Sequence, residues 1–318
     1  MNSTAKLSNS VDVLLGPGAD RDFAPLASAK IRRKVHFAHF IYTVRTGFQQ
    51  KVAMPLERAL LRQWMRQGVG ARRIEALGLP RLAVEEFLGA DALTLRLNPR
   101  ELIRITAYDH RRIEKSPTST VFVWDGNWDR RRGDLRIGTR YRFISEIDQH
   151  RDQLENTERY QTLLAELNSG KPFASHNEGI LLDTPERIRR YLQIYVNFLD
   201  NMAENGFDES RPKDELGVAI TRDGHILKIN KGLHRLAMAQ RLGLSSVPVR
   251  VRAIHREWWQ AVTCGTTGAE ALARVRDALP ACTPEKYAGP LDPEPSGDHL
   301  PDDFWPAPYG RHATLGQS

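Results

Sequence analysis

A chain of 318 residues can bury one large core or two modest ones without disulfide support. Hydrophobic residues make up 41% and charged residues 27%, which excludes collagen, a coiled coil and a disulfide scaffold. The net charge of +7 favours anionic partners without naming one. No run reaches the roughly 18 apolar residues of a membrane span, and residues 11–15 are too short for a signal core. Cys264 and Cys282, the two cysteines, cannot build a disulfide framework or a four-ligand zinc site by themselves. A cytoplasmic protein with no membrane partner is expected.

Residues 1–28, rich in Ser, Asn, Gly and Asp, read as a tail. Residues 29–91 form a helical, Arg-rich region. Pro55 suits a first helical turn, and Leu56, Leu60, Trp64 and Met65 share the face of a helix over 55–68. Shorter helices are predicted over 71–77 and 82–88. Leu93, Leu95 and Leu97 alternate with Thr94 and Arg96 as in a half-buried strand. Asn98-Pro99 turns the chain into a short helical segment carrying Leu102, Ile103 and Ile105. Residues 121–124 are a β-type run, and 145–167 a helix broken near Asn156. The helix over 185–205 has Thr184 as N-cap, Pro185 in its first turn and an Ile188-to-Met202 apolar rhythm. A hairpin follows, 216–221 and 225–230, turned by Asp223-Gly224. Lys228 in its second arm is expected to face solvent or the opposite sheet face. Lys231-Gly232 opens a helix over 233–242, stopped by Gly243, and 247–253 is a last strand. Residues 263–318 hold a helix and a Pro-rich acidic tail. The whole predicts an α+β fold: a small mixed sheet with flanking helices, plus the N-terminal helical region.

One junction carries chemical information. A strand that passes through Gly232 into a helix offers that helix's first N–H groups at the positive end of its dipole. Glycine has no side chain to block an approaching oxygen, and His234 and Arg235 place donors on the same rim. This is the chemistry of a phosphate cradle, weighed against a plain solvated helix start. Lys231 stands where it can reach a terminal phosphate. Asp214 and Glu215 precede the hairpin and either face the pocket or lie in an exposed loop. A second cluster, Trp124-Asp125-Gly126-Asn127-Trp128-Asp129, puts two acids and an amide within six residues. Asp125 and Asp129 are candidates to hold Mg²⁺ or to act as a general base. The other reading is a structural turn over core tryptophans.

The order Asp223-Gly224, Gly232, His234-Arg235, Ala237, Ala239, Gly243 and Val247-Pro248-Val249 resembles the ParB/sulfiredoxin superfamily. The resemblance covers about residues 188–256, and residues 93–105 extend it more weakly as an opening strand and turn. It implies a ParB/sulfiredoxin-like nucleotide-binding domain over 92–262 with a helical insertion. By position, Gly232, Leu233, His234, Arg235 and Lys231 would bind the phosphates of ATP or another nucleoside tri- or diphosphate with Mg²⁺. Leu233 replaces the catalytic cysteine of sulfiredoxins, so sulfinate repair is not expected. The leading expectation is a nucleotide-dependent kinase acting on a hydroxyl-bearing small molecule or sugar. Asp129, Asp125 and His234 would be its catalytic residues. The alternative is a nucleotide-switched DNA-binding protein or nuclease that contacts DNA through residues 29–115.

Overall fold

The computed structural model describes residues 15–17, 19–107, 118–210, 215–229, 231–292, 300–301 and 304–305. In chain order the helices are α1 (Arg32–Phe48), α2 (Met54–Met65), α3 (Ala71–Ala76), α4 (Arg81–Leu88), α5 (Thr139–Gln149), α6 (Glu158–Asn168), α7 (Pro185–Asn205), α8 (Leu233–Leu242), α9 (Arg256–Thr263) and α10 (Gly268–Ala278). The strands are β1 (Thr94–Leu97), β2 (Arg104–Thr106), β3 (Val123–Trp124), β4 (Arg132–Asp134), β5 (Phe173–Ser175), β6 (Ile180–Leu182), β7 (Leu216–Ile220), β8 (His225–Lys228), β9 (Val247–His255) and β10 (Thr283–Pro284). The fold is α+β. Among the described residues no helix is long and apolar enough to cross a membrane.

The chain divides into two compact units, residues 1–50 with 143–206 and residues 51–142 with 207–318. This division cuts across the linear order expected from composition. The strand that follows the helical region, β1, pairs with β9 more than 140 residues later (Thr94 opposite Arg250). Sheet pairing, not sequence proximity, gathers the second unit.

In the first unit α7 takes the predicted bounds. Thr184 Oγ1 accepts from the Arg187 N–H at 3.3 Å, and Gly206 ends the helix at φ 74°. Its buried face includes Ile188, Leu192 and Leu199. Phe23 packs on Tyr191, Tyr195 and Phe198 at centroid distances of 5.8–5.9 Å. Arg151 bridges Asp148 and Asp200, each at 2.6 Å. The N-terminal tail is therefore shorter than expected. Residues 21–26 form a 3-10 turn, and Phe23 and Leu26 are buried, because two large apolar side chains outweigh a polar local composition. The antiparallel pair β5–β6 has no counterpart in the sequence reading; its three-residue strands are too short to show a period.

The second unit is built on an eight-stranded mixed sheet, ordered β1-β9-β7-β8-β2-β4 with β10 on β8 and β3 on β9. β7 is buried throughout, whereas β9 alternates over its first six residues, with Val247, Val249 and Val251 buried and Arg250 and Arg252 half-buried, before a buried end at residues 253–255. Two local expectations are corrected. Residues 104–106 form strand β2, not a helical segment: Ile105 pairs with Lys228 of β8 and Arg104 with Asp134 of β4. The C-terminal part is also more ordered than its prolines suggest. β10 adds to β8, and buried Glu285 bonds Arg132 at 2.7 Å.

Gly78 joins the helical segment to the sheet. Its carbonyl accepts from Phe122 and Val123 at 3.0 and 2.7 Å. Its φ is 107°, and a Cβ there would stand 2.5 Å from the Val123 carbonyl oxygen. Gly78→Ala is expected to destabilise by more than about 1 kcal/mol, since the backbone conformation and the space both exclude the methyl. A wild-type melting temperature for this variant would refute the strain.

Candidate functional site

β8 leads through Ile229 to Lys231, which is exposed, and then to Gly232 with φ 65° and ψ 25°. Only glycine adopts that left-handed geometry without strain. The first α8 hydrogen bond runs from Leu236 N–H to Gly232 O at 3.0 Å, and no described side chain caps the helix. Leu236, Ala237, Met238 and Ala239 bury against the sheet, which holds the helix start at the sheet's end.

Lys228 corrects the expectation made for it. It is fully buried, and its ammonium donates to the carbonyls of Gly217, Ile229 and Lys231, the first at 3.1 Å. Ile229 and Lys231 lie on the bend that delivers Gly232, and Gly217 lies on β7. The residue thus ties that bend to the neighbouring strand. Burial pushes its pKa down to about 7. The period of two does place Lys228 on one sheet face, but that face is covered, and a sequence pattern does not show which face is.

Beside the helix start lies a cavity of about 330 Å³, whose lining includes Arg235, Arg96, Arg250, Phe207, Glu215 and Asp91. Arg235 places its guanidinium 3.9 Å from the Phe207 ring centroid and donates to the Asp208 carbonyl. Arg96 pairs with Glu209 at 2.6 Å, and Arg250 approaches Glu215 at 3.4 Å. His234 is half-buried in the first turn of α8. Of the residues predicted to contact phosphate, Arg235 lines the cavity, whereas Lys231, Gly232, Leu233 and His234 are not among its lining residues. The cavity adds Arg96, Arg250 and Phe207, which the sequence reading did not select. Their signal was weak: Arg96 and Arg250 look like ordinary outward positions until β1 and β9 pair. Asp214 lies outside the described residues.

The acidic cluster is elsewhere. Trp124 and Trp128 meet edge to face at 5.3 Å and pack on Ala219, Leu227 and Ala253, so both are core. Asp129 is 1% exposed at its side chain. Its carboxylate accepts from the Arg222 backbone at 2.9 Å and from the Arg222 guanidinium at 2.8 and 3.1 Å. Burial alone would raise its pKa, but the Arg222 hydrogen bonds and nearby His255 outweigh that and hold it below the usual carboxylate range. His255 Nδ1 accepts from Glu257 N–H, so Nε2 carries the proton and donates to the Gly126 carbonyl at 2.9 Å. Asp125 is 60% exposed and pairs with Arg256 at 2.9 Å. One acid points into the fold and the other out of it.

This geometry separates the two predicted halves of the site. Asp129 and Arg222 sit where β7 ends, beside Trp124 opposite His255. The cavity sits where β7 begins, beside Leu216 and Val249. At about 3.3 Å per residue, the strand between them spans roughly 16 Å. Asp125 and Asp129 do not fit a shared Mg²⁺ site, because Arg222 already occupies the Asp129 oxygens, and no chemical step is routed through them. Among the described residues no group of three or more His, Cys, Asp or Glu is arranged to hold a metal ion.

What fold and cavity define is a mixed-sheet domain with a glycine-led helix opening near a recess lined by Arg96, Arg235 and Arg250, by the carboxylates Asp91, Glu209 and Glu215, and by the Phe207 ring. No family model, curated protein or solved structure matches the chain.

Proposed function

We propose that this is a cytoplasmic nucleotide-binding protein of the ParB/sulfiredoxin type, and that it uses the nucleotide to phosphorylate a hydroxyl-bearing small molecule or sugar. The observation that carries the reading is Arg235: it leaves the first turn of α8 and lines one cavity with Arg96, Arg250 and Phe207. Backbone N–H groups and guanidinium forks suit phosphate oxygens, and an aromatic ring beside them suits a base or ribose. Mg²⁺ would arrive on the nucleotide phosphates, which supply most of its ligands in such sites. Asp91, which also lines the cavity, would accept the acceptor's hydroxyl proton as its oxygen attacks phosphorus and the bond to the leaving phosphate breaks. Two free cysteines accord with a reducing compartment.

The test is thermal stabilisation by ATP, ADP or CTP with magnesium. Ligand at about 100 times its Kd should add about 2.7 kcal/mol of stability. Arg235→Ala should abolish the shift. Because Arg235 also holds Phe207 and Asp208, the exposed Arg96→Ala serves beside it, expected to weaken binding while the unliganded melting temperature stays unchanged. Absence of any shift at millimolar nucleotide would sink the proposal. Tight, salt-sensitive DNA binding without turnover would replace the kinase by the DNA-binding alternative.

A further inference from the structure

Helix α1 has a face that the fold does not use. Val35 is fully buried and joins Ile31 and Leu181 in a small core, which anchors one side of the helix. At about 100° per residue, Phe37, Phe40, Ile41, Val44 and Phe48 fall together on the other side. All are exposed, Phe37 at 65% and Phe48 at 61%. Five large apolar side chains aligned over three turns form a contiguous patch, unlike singly scattered surface hydrophobics.

The charges around the stripe indicate its occupant. α1 carries Arg32, Arg33, Lys34 and Arg45 and no acidic residue. Arg33 and Lys34 straddle the start of the stripe, and Arg45 borders its end. An open groove of about 480 Å³ beside it is floored by Phe37, Ala38 and Ile41 and rimmed by Arg33 and Lys34. A second copy of the chain would set these cations against one another in either helix orientation, so self-association is disfavoured. A partner that is apolar at depth and anionic at its surface satisfies both features. Long basic side chains can then keep their charges at the boundary while the rings enter.

We propose that α1 docks the protein on an anionic lipid surface, with Phe37, Phe40, Ile41, Val44 and Phe48 entering the headgroup–acyl boundary and Arg33, Lys34 and Arg45 meeting lipid phosphates. This site is independent of the nucleotide cavity, and nucleotide binding neither supports nor weakens it.

Co-sedimentation of the full chain with vesicles tests it. Vesicles of equal parts phosphatidylglycerol and phosphatidylcholine should carry the protein down, pure phosphatidylcholine should not, and added salt should release it. Phe40→Ser with Phe48→Ser should weaken binding at least about tenfold. Circular dichroism and the melting temperature should stay unchanged, since both rings are exposed. Arg33→Glu with Lys34→Glu is the second variant and should abolish preference for the anionic vesicles. No sedimentation with anionic vesicles, or equal binding by the variants, would overturn the proposal. A concentration-dependent dimer dispersed by the Phe40 and Phe48 changes would overturn it in favour of a second copy.

Discussion

Arg222→Ala is expected to cost about 3–5 kcal/mol of stability, because it strands the buried Asp129 carboxylate without its cation. In a domain of this size that corresponds to a fall of about 6–20 °C in melting temperature. The pH dependence distinguishes this from lost packing. In the wild type the Asp129 pKa is depressed, so its contribution is present above the ordinary carboxylate range and is lost as pH falls through the lower folded value. In the variant the guanidinium bonds are gone while the residue-222 N–H and His255 remain, so burial is less opposed, the pKa moves up and the carboxyl protonates earlier. The gap between variant and wild type should therefore be widest near neutral pH and narrow on acidification. Adding Asp129→Leu to the variant should recover part of the loss, since removing both charges leaves none buried alone. If Arg222→Ala melts like the wild type, the buried Asp129 carboxylate does not depend on this cation.

Lys228→Met is expected to weaken nucleotide binding at least about tenfold and to cost about 1–3 kcal/mol in stability by leaving backbone carbonyls without their donor. The carbonyls concerned belong to Gly217, Ile229 and Lys231, so the bend before Gly232 should loosen while the sheet persists. A second signature is independent of any ligand. A folded pKa of about 7 lies below the roughly 10.4 of an unfolded lysine. Between those values the unfolded chain holds a proton that the folded chain has released. Stability from this group therefore rises with pH across that window, by at most about 1.4 kcal/mol per unit, and is flat below it. Urea unfolding at pH 7, 8 and 9 measures the slope. The slope should vanish in Lys228→Met; if it persists, another group is responsible.

The difference between these two residues and the predicted ones is instructive. Asp129 was noticed in the sequence because acid, amide and indole side chains crowd within six positions. Nothing in that string shows that Arg222, 93 residues on, delivers its guanidinium to the same carboxylate. Lys228 is expected to face solvent or the opposite sheet face because lysines in short strands normally reach water, and only the assembled sheet encloses it. Arg96 and Arg250 became neighbours of Arg235 only through the pairing of β1 with β9. The stripe on α1 has the spacing of an ordinary core face; its exposure is a property of the assembled unit.

Local chemistry alone determined the bounds of α7, the β7–β8 hairpin and the start and stop of α8. A Thr-Pro cap, an Asp-Gly turn and flanking glycines act within a few residues and need no distant partner. They place Gly232 and Arg235 at one junction without reference to the rest of the chain. Only the tertiary structure decided that the acids lie at the far end of β7, that Lys228 is enclosed, and that residues 51–91 of the helical region share a unit with the sheet while α1 belongs to the other. Burial and ion pairing depend on which segments meet across long stretches of chain, and a linear pattern carries the period of a face but not the identity of what covers it.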